Sequence, residues 1–124
     1  MTGDARAFGS RRATLEVPGN PDSLATIRAF VARMLAPALD DDERVEDLKL
    51  AVDEICARTD GGTVVVTLEI DRARCVVICD GVAASANDDL GVMREQLLDA
   101  LVRDVEWSRT EHGSGRARFT LPLE

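Results

Sequence analysis

The residues best suited by type and spacing to do chemistry lie in LKLAVDEICARTDGG, Leu48 to Gly62. Glu54 and Arg58 stand four apart, one helical turn, so a helix brings both to one side. Asp53 and Glu54 also set an acidic pair between apolar neighbours of an otherwise amphipathic helix. The four-residue spacing makes a plain Glu–Arg pair, which stabilises a helix by roughly 0.3 kcal/mol. A second stretch is CVVICDG, where Asp80 closes a strand-like run and Gly81 follows it. Cys56, Cys75 and Cys79 are odd in number and sit in apolar patterns, where free thiols behave as small hydrophobes. A zinc site is the sharper reading of the three, but C-x3-C in one strand with a distant third thiol is not a recognised ligand spacing. The lone His112 falls in TEHGSG and reads as a turn residue. No Ser/His/Asp set, Walker A or GxGxxG pattern occurs.

Those residues belong to a chain of 124 residues with a formal net charge of -8 and 3% aromatic content. That length suits one domain, able to bury about two-thirds of its unfolded surface. Lacking both a basic footprint and stacking platforms, the chain is not expected to bind nucleic acid directly. MTGDARAFGS has no apolar signal-peptide core and no apolar run spans a bilayer, so the expectation is a cytoplasmic protein with no membrane contact. Residues 40 to 60 hold nine acids against Arg44, Lys49 and Arg58. Such a run is either a solvated face or a docking surface for a basic protein partner.

The elements that must position these groups follow from periodicity. Residues 1 to 11 read as a mobile tail and 12 to 124 as one domain, with a first strand at about Ala13 to Val17. Asn20 as cap, Pro21 at the first helical position and Asp22 in the first turn open a helix to about Leu35. Its buried stripe is Leu24, Ile27, Val31, Met34 and Leu35. The opposite face is Ala25, Thr26, Ala29, Ala32 and Arg33, with Arg28 on the flank. It reflects either alanine's helix propensity or a partner surface in which Arg28 and Arg33 would take part. Pro37 stops that helix, and DDDER opens a second from about Asp41 to Arg58. Val45, Leu48, Val52, Ile55 and Cys56 form its apolar stripe. Leu50 and Ala57 fall elsewhere, which predicts cover from two directions. Glu54 projects between Leu50 and Ala51, whereas Asp53 shares the outer face with Glu46 and Lys49.

Beyond the GG stop, TVVVTLEID alternates Val64, Val66, Leu68 and Ile70 on one face, and CVVICD completes a hairpin. GVAASANDDLG reads as a loop and Val92 to Arg103 as a helix whose apolar residues are Met93, Leu97, Leu98 and Leu101. Strands at about Val105 to Arg109 and Arg116 to Leu123 form a final hairpin. This order predicts an α+β, two-layer α/β sandwich whose antiparallel or mixed sheet carries helices on one face.

The segments LKLAVDEICAR, CVVICDG, and LLDALVRDVEW followed by RARFTLPLE resemble the anti-sigma factors with a serine-kinase fold, the RsbW type of the GHKL (histidine-kinase-like) ATPase superfamily, in its diverged actinobacterial members. The resemblance covers about Ala13 to Glu124 and implies a Bergerat-type fold with a mixed, mostly antiparallel sheet. In active members a helical Glu positions or deprotonates the attacking group, and an Asn four residues later holds Mg2+ against the phosphates. Glu54 matches the Glu, but Arg58 stands at the Asn position. Arginine has no acceptor lone pair and its charge repels Mg2+. Asp80 matches the Asp of the family's Asp-x-Gly-x-Gly motif, which receives the adenine amino group. Val82 and Ala84 replace both glycines, and Gly81 sits beside the motif. The second glycine box is reduced to Gly91 in GVMREQLL, after a connection too short for a full nucleotide lid.

What the resemblance implies is therefore an anti-sigma factor with an eroded ATP site. It would sequester a sigma factor and be countered by an anti-anti-sigma partner of the STAS type, and a homodimer is allowed. No cofactor is expected, with ATP and Mg2+ entering only if the eroded site, Asp80, Gly81 and Gly91, still binds them. The alternative is an active serine/threonine kinase that uses Glu54 and Mg-ATP to phosphorylate the anti-anti-sigma protein. A small module of the same fold serving another signalling partner is the third reading.

Overall fold

A computed structural model describes residues 10–39, 41–59, 62–83, 89–111 and 113–123. Strand β1 (Arg11–Pro18) is followed by helices α1 (Ser23–Leu35) and α2 (Asp42–Cys56), the hairpin β2 (Thr63–Ile70) and β3 (Arg74–Asp80), helix α3 (Asp89–Leu101), and the hairpin β4 (Arg103–Arg109) and β5 (Gly115–Pro122). The five strands form one sheet in the order β1-β2-β3-β5-β4. Every neighbouring pair is antiparallel, so the parallel component allowed by the sequence reading is absent from this sheet. The fold is α+β, consistent with a two-layer α/β arrangement.

The pleat makes this sheet one-sided. Val66 lies opposite Cys79 and Leu68 opposite Val77, which in turn face Ala117 and Phe119. All six are fully buried, and with Ile27, Val31, Leu35, Leu48, Val52, Ile55 and Leu98 of the helices they form one core. Alternate residues of the same strands point to the opposite face, because side chains on a strand change sides at every step.

Local chemistry sets the element ends, with several departures from expectation. β1 starts at Arg11, within the segment read as a tail, since its pairing with β2 extends from Arg11↔Ile70 to Pro18↔Thr63. Asp22, rather than Asn20, is the cap position of α1, and it makes no side-chain cap bond. Asn20 and Pro21 instead form a turn in which their carbonyls accept from Ser23 N and Leu24 N, and Ser23 Oγ donates to Pro18 O at 2.7 Å. Asp41 caps α2, its Oδ1 accepting from Glu43 N at 3.0 Å and Arg44 N at 3.4 Å. α2 ends at Cys56, so Arg58 lies just past its last turn.

Two faces differ more seriously. Leu50 is 48% exposed and Ala57 is exposed as well, so the side of α2 that carries them is open, although α1 and α3 flank the helix. α3 is rotated from its predicted setting: Gly91, Arg94 and Leu98 are buried, whereas Met93 is 64% exposed. The set Gly91, Arg94, Leu98 and Val102 has the same helical spacing as the apolar set, and only packing decides which one faces inward. His112 lies outside the described residues, as do residues 84–88 of the stretch read as a loop at GVAASANDDLG, whose last three residues, Asp89 to Gly91, already belong to α3. No helix among the described residues is long and apolar enough to cross a membrane.

Leu48 and Leu98 fill the centre of the core without a polar partner to lose. Truncating either to Ala should cost about 2–5 kcal/mol, and Leu50→Ala less than about 0.5 kcal/mol. Urea denaturation of the three variants checks this ordering.

Candidate functional site

The residues singled out by sequence are divided between the two faces of the sheet. Cys79 points inward, so the next residue in β3, Asp80, must point outward. There its carboxylate meets Arg116, directly opposite on β5, in a two-pronged pair of 2.5 Å from Nε to Oδ1 and 3.2 Å from Nη2 to Oδ2. The bond and the charge of Asp80 hold the Arg116 guanidinium above its ordinary pKa. Asp80 and Arg116 share an open outer cleft of about 530 Å³ with Thr63, Val65, Arg109 and Thr110.

Glu54 lies on the other side of the sheet, half-buried on the flank of α2 that faces α3. No ion pair within 4.0 Å joins it to Arg58 among the described residues, so the i,i+4 pair expected from spacing is not formed. The group that dominates this corner is Arg94 of α3, which the sequence reading did not single out. It is 2% exposed. Its guanidinium lies 4.6 Å from the centroid of the Trp107 ring, within cation–π range, and Nη2 donates to Ile55 O at 3.4 Å. Nε and Nη1 are buried without a partner. Burial, and next the charge of Arg58, push Arg94 below its ordinary pKa, against the opposing pull of Glu54. Arg94 thus lies within the fields of both Glu54 and Arg58, the two residues that the motif comparison singled out. The signal for Arg94 was its place at helical spacing between Gly91 and Leu98, facing the strand that carries the only Trp.

Backbone ties fix this corner. Ala83 N donates to Arg58 O at 2.8 Å, and Thr59 forms an isolated bridge with Val82, joining the end of α2 to the exit of β3. Gly81 makes the crossing possible at φ +84, where a Cβ would collide with the carbonyl oxygen of Thr63. Its N–H is donated to Gly115 O at 2.9 Å. Gly91 is buried near the start of α3.

The α1 residues also separate. Arg28 donates from Nη1 to Asp53 Oδ2 at 2.7 Å, locking α1 to α2, so Asp53 faces α1 and not the outer surface shared by the Glu46–Lys49 pair. Arg33 lies on the exposed face with Ala25, Thr26 and Ala29. All three cysteines are free and buried. Cys79 is pushed well above its ordinary pKa by its hydrogen bond with Cys56 and by burial, and Cys75 is pushed up to about 12 from 9.0 by burial and then by the charge of Asp71. Among the described residues no group of three or more His, Cys, Asp or Glu side chains is placed to hold a metal ion. Comparison of the sequence with models of known protein families and with curated proteins gives no match.

Two measurements test this account. Glu54 makes no ion pair within 4.0 Å among the described residues, but its charge offsets the burial of Arg94, so Glu54→Gln should cost about 1–3 kcal/mol in the parent and less in an Arg94→Met chain. Arg94→Met, which removes a buried charge while keeping an unbranched side chain, should be neutral or stabilising by up to about 3 kcal/mol in urea denaturation. For Cys75 the folded thiol has a higher pKa than the unfolded one. Its contribution to stability is therefore complete below pH 9.0 and is lost as pH rises toward about 12. Denaturation midpoints measured from neutral to alkaline pH should fall over that interval, and less steeply in Cys75→Ala.

Proposed function

We propose that the chain is a protein-binding module of the anti-sigma type, with a GHKL-like fold whose nucleotide site has been given over to side chains. The single observation that carries this reading is the separation of Asp80 from Glu54 by the sheet. A nucleotide held as in the resembled family needs the adenine-binding carboxylate and the catalytic carboxylate on one side. Here Asp80 is engaged by Arg116 on the outer face, and Glu54 looks toward Arg58 and Arg94 beneath the helices. Two arginines disfavour Mg2+ there by charge, and neither offers it a ligand. Work by this protein then consists of binding: it would hold a sigma factor away from polymerase in the cytoplasm and be released by an anti-anti-sigma partner. The acidic balance of the chain suits a partner with basic surfaces.

Titration calorimetry with Mg-ATP and affinity capture from the native cell test the reading together. The expected outcome is a captured sigma factor, no nucleotide binding in the low micromolar range, and no phosphate transfer to a STAS-type partner. Tight Mg-ATP binding with transfer that disappears in Glu54→Gln would establish the kinase instead.

A further inference from the structure

The sheet has two edges, β1 and β4, and they are finished differently. β4 is irregular: its register with β5 shifts between Arg103 and Glu106, and Asp104 sits at φ 55. Breaks of this kind turn an edge away from further pairing. β1 has none. It pairs with β2 from Arg11 to Pro18 without a shift, and its one proline is the last residue. On the side of β1 away from β2, the backbone N–H and C=O groups of alternate residues point outward, and no strand among the described residues receives them. A long, regular edge is a template for another strand.

The side chains of β1 specify which strand fits. Leu15 and Val17 turn toward the core, so Arg12, Thr14 and Glu16 share the outer face of the sheet. Laid antiparallel against a second copy of itself about Thr14, the strand sets Arg12 opposite the copy's Glu16, Glu16 opposite the copy's Arg12, and Thr14 opposite Thr14. Residues directly opposite on antiparallel strands are close enough to pair. A shift of two residues in either direction puts Arg12 against Thr14 or Pro18 and loses both ion pairs.

Both charges are available for such a match. Glu16 is exposed with no cationic group within 4.0 Å among the described residues, and Arg12, 67% exposed, meets only Glu69, at 3.9 Å. Thr14 Oγ1 lies 3.3 Å from Thr67 Oγ1, so pairing at Thr14 would carry that row of hydroxyls from one sheet into the next. On the inner side, α1 is held along β1 by Ser23 Oγ on Pro18 O and by Arg11 Nη2 on Met34 O. Its half-buried Phe30 stands on the flank turned away from Arg28, and hence away from α2, toward this edge.

We propose that two copies of the chain join edge to edge through β1, in an antiparallel pairing centred on Thr14 that makes one continuous sheet held by two reciprocal Arg12–Glu16 ion pairs. A patch that complements itself in this way is what a two-fold axis requires. The inference goes beyond the anti-sigma reading and does not rest on it.

Sedimentation equilibrium of the full chain should show a monomer–dimer equilibrium. Arg12→Glu alone, or Glu16→Arg alone, makes both pairs repulsive, and each should weaken dimerisation by about ten-fold or more. Mixed in equal amounts, the two variants again bring opposite charges together at both pairs, so a heterodimer of near-parental affinity should form. Circular dichroism verifies that each variant is folded. Amide hydrogen exchange locates the contact, with added protection on dimerisation expected in β1. A parent that stays monomeric up to about 1 mM overturns the inference. So does a dimer that neither reversal weakens, one that the mixture fails to restore, or one whose added protection falls on β4 or the helices instead of β1.

Discussion

The two-residue period of β3 is the constraint on which the rest of the structure depends. Cys75, Val77 and Cys79 must face the helices, because the inward residues of β2 and β5 directly opposite them are already part of the core. Moving β3 by one residue would turn the whole row into solvent. Asp80 has no freedom once that row is set: it projects outward and is matched there by Arg116. A core requirement thereby decides the fate of a residue that motif comparison assigns to a ligand.

The same core leaves a corner to be filled between α2, α3 and β4. Arg94 fills it with an aliphatic stem and a guanidinium stacked on Trp107, a compromise that leaves two of its donors unpaired. Burying a guanidinium is costly unless an opposite charge is close, and Glu54 is the acid whose field favours the charged form most strongly there. The charge of Glu54 thus acts on Arg94, and the ion pair with Arg58 that spacing suggests is not formed. Gly81 has a comparable history. Its place beside a motif suggests a ligand, and its positive φ and the carbonyl of Thr63 require a glycine there for backbone reasons as well.

Charge is distributed by layer. The outer sheet pairs Glu69, Asp80 and Glu106 with arginines across neighbouring strands, where residues directly opposite are close enough to interact. α2 keeps most of its acids on flanks where Lys49 and Arg28 answer only Glu46 and Asp53. The protein therefore presents a nearly balanced sheet face and an acidic helical face, a polarity that net charge alone does not reveal.

Sequence by itself determined the order of elements, the inward row of β2, the acidic start of α2 and the core positions Leu48, Val52, Ile55 and Leu98. These follow from periodicity and from local hydrogen bonding, which act over a few residues and leave a direct trace in the chain. Only the tertiary structure decided the rotation of α3, where Arg94 and Met93 exchange their expected places, and the engagement of Asp53 by Arg28. It alone placed Asp80 on the face away from Glu54. In each case two settings satisfy the same local spacing, and the choice is made by contacts between residues far apart in sequence: Arg94 with Trp107 and Ile55, Asp53 with Arg28, and Asp80 with Arg116.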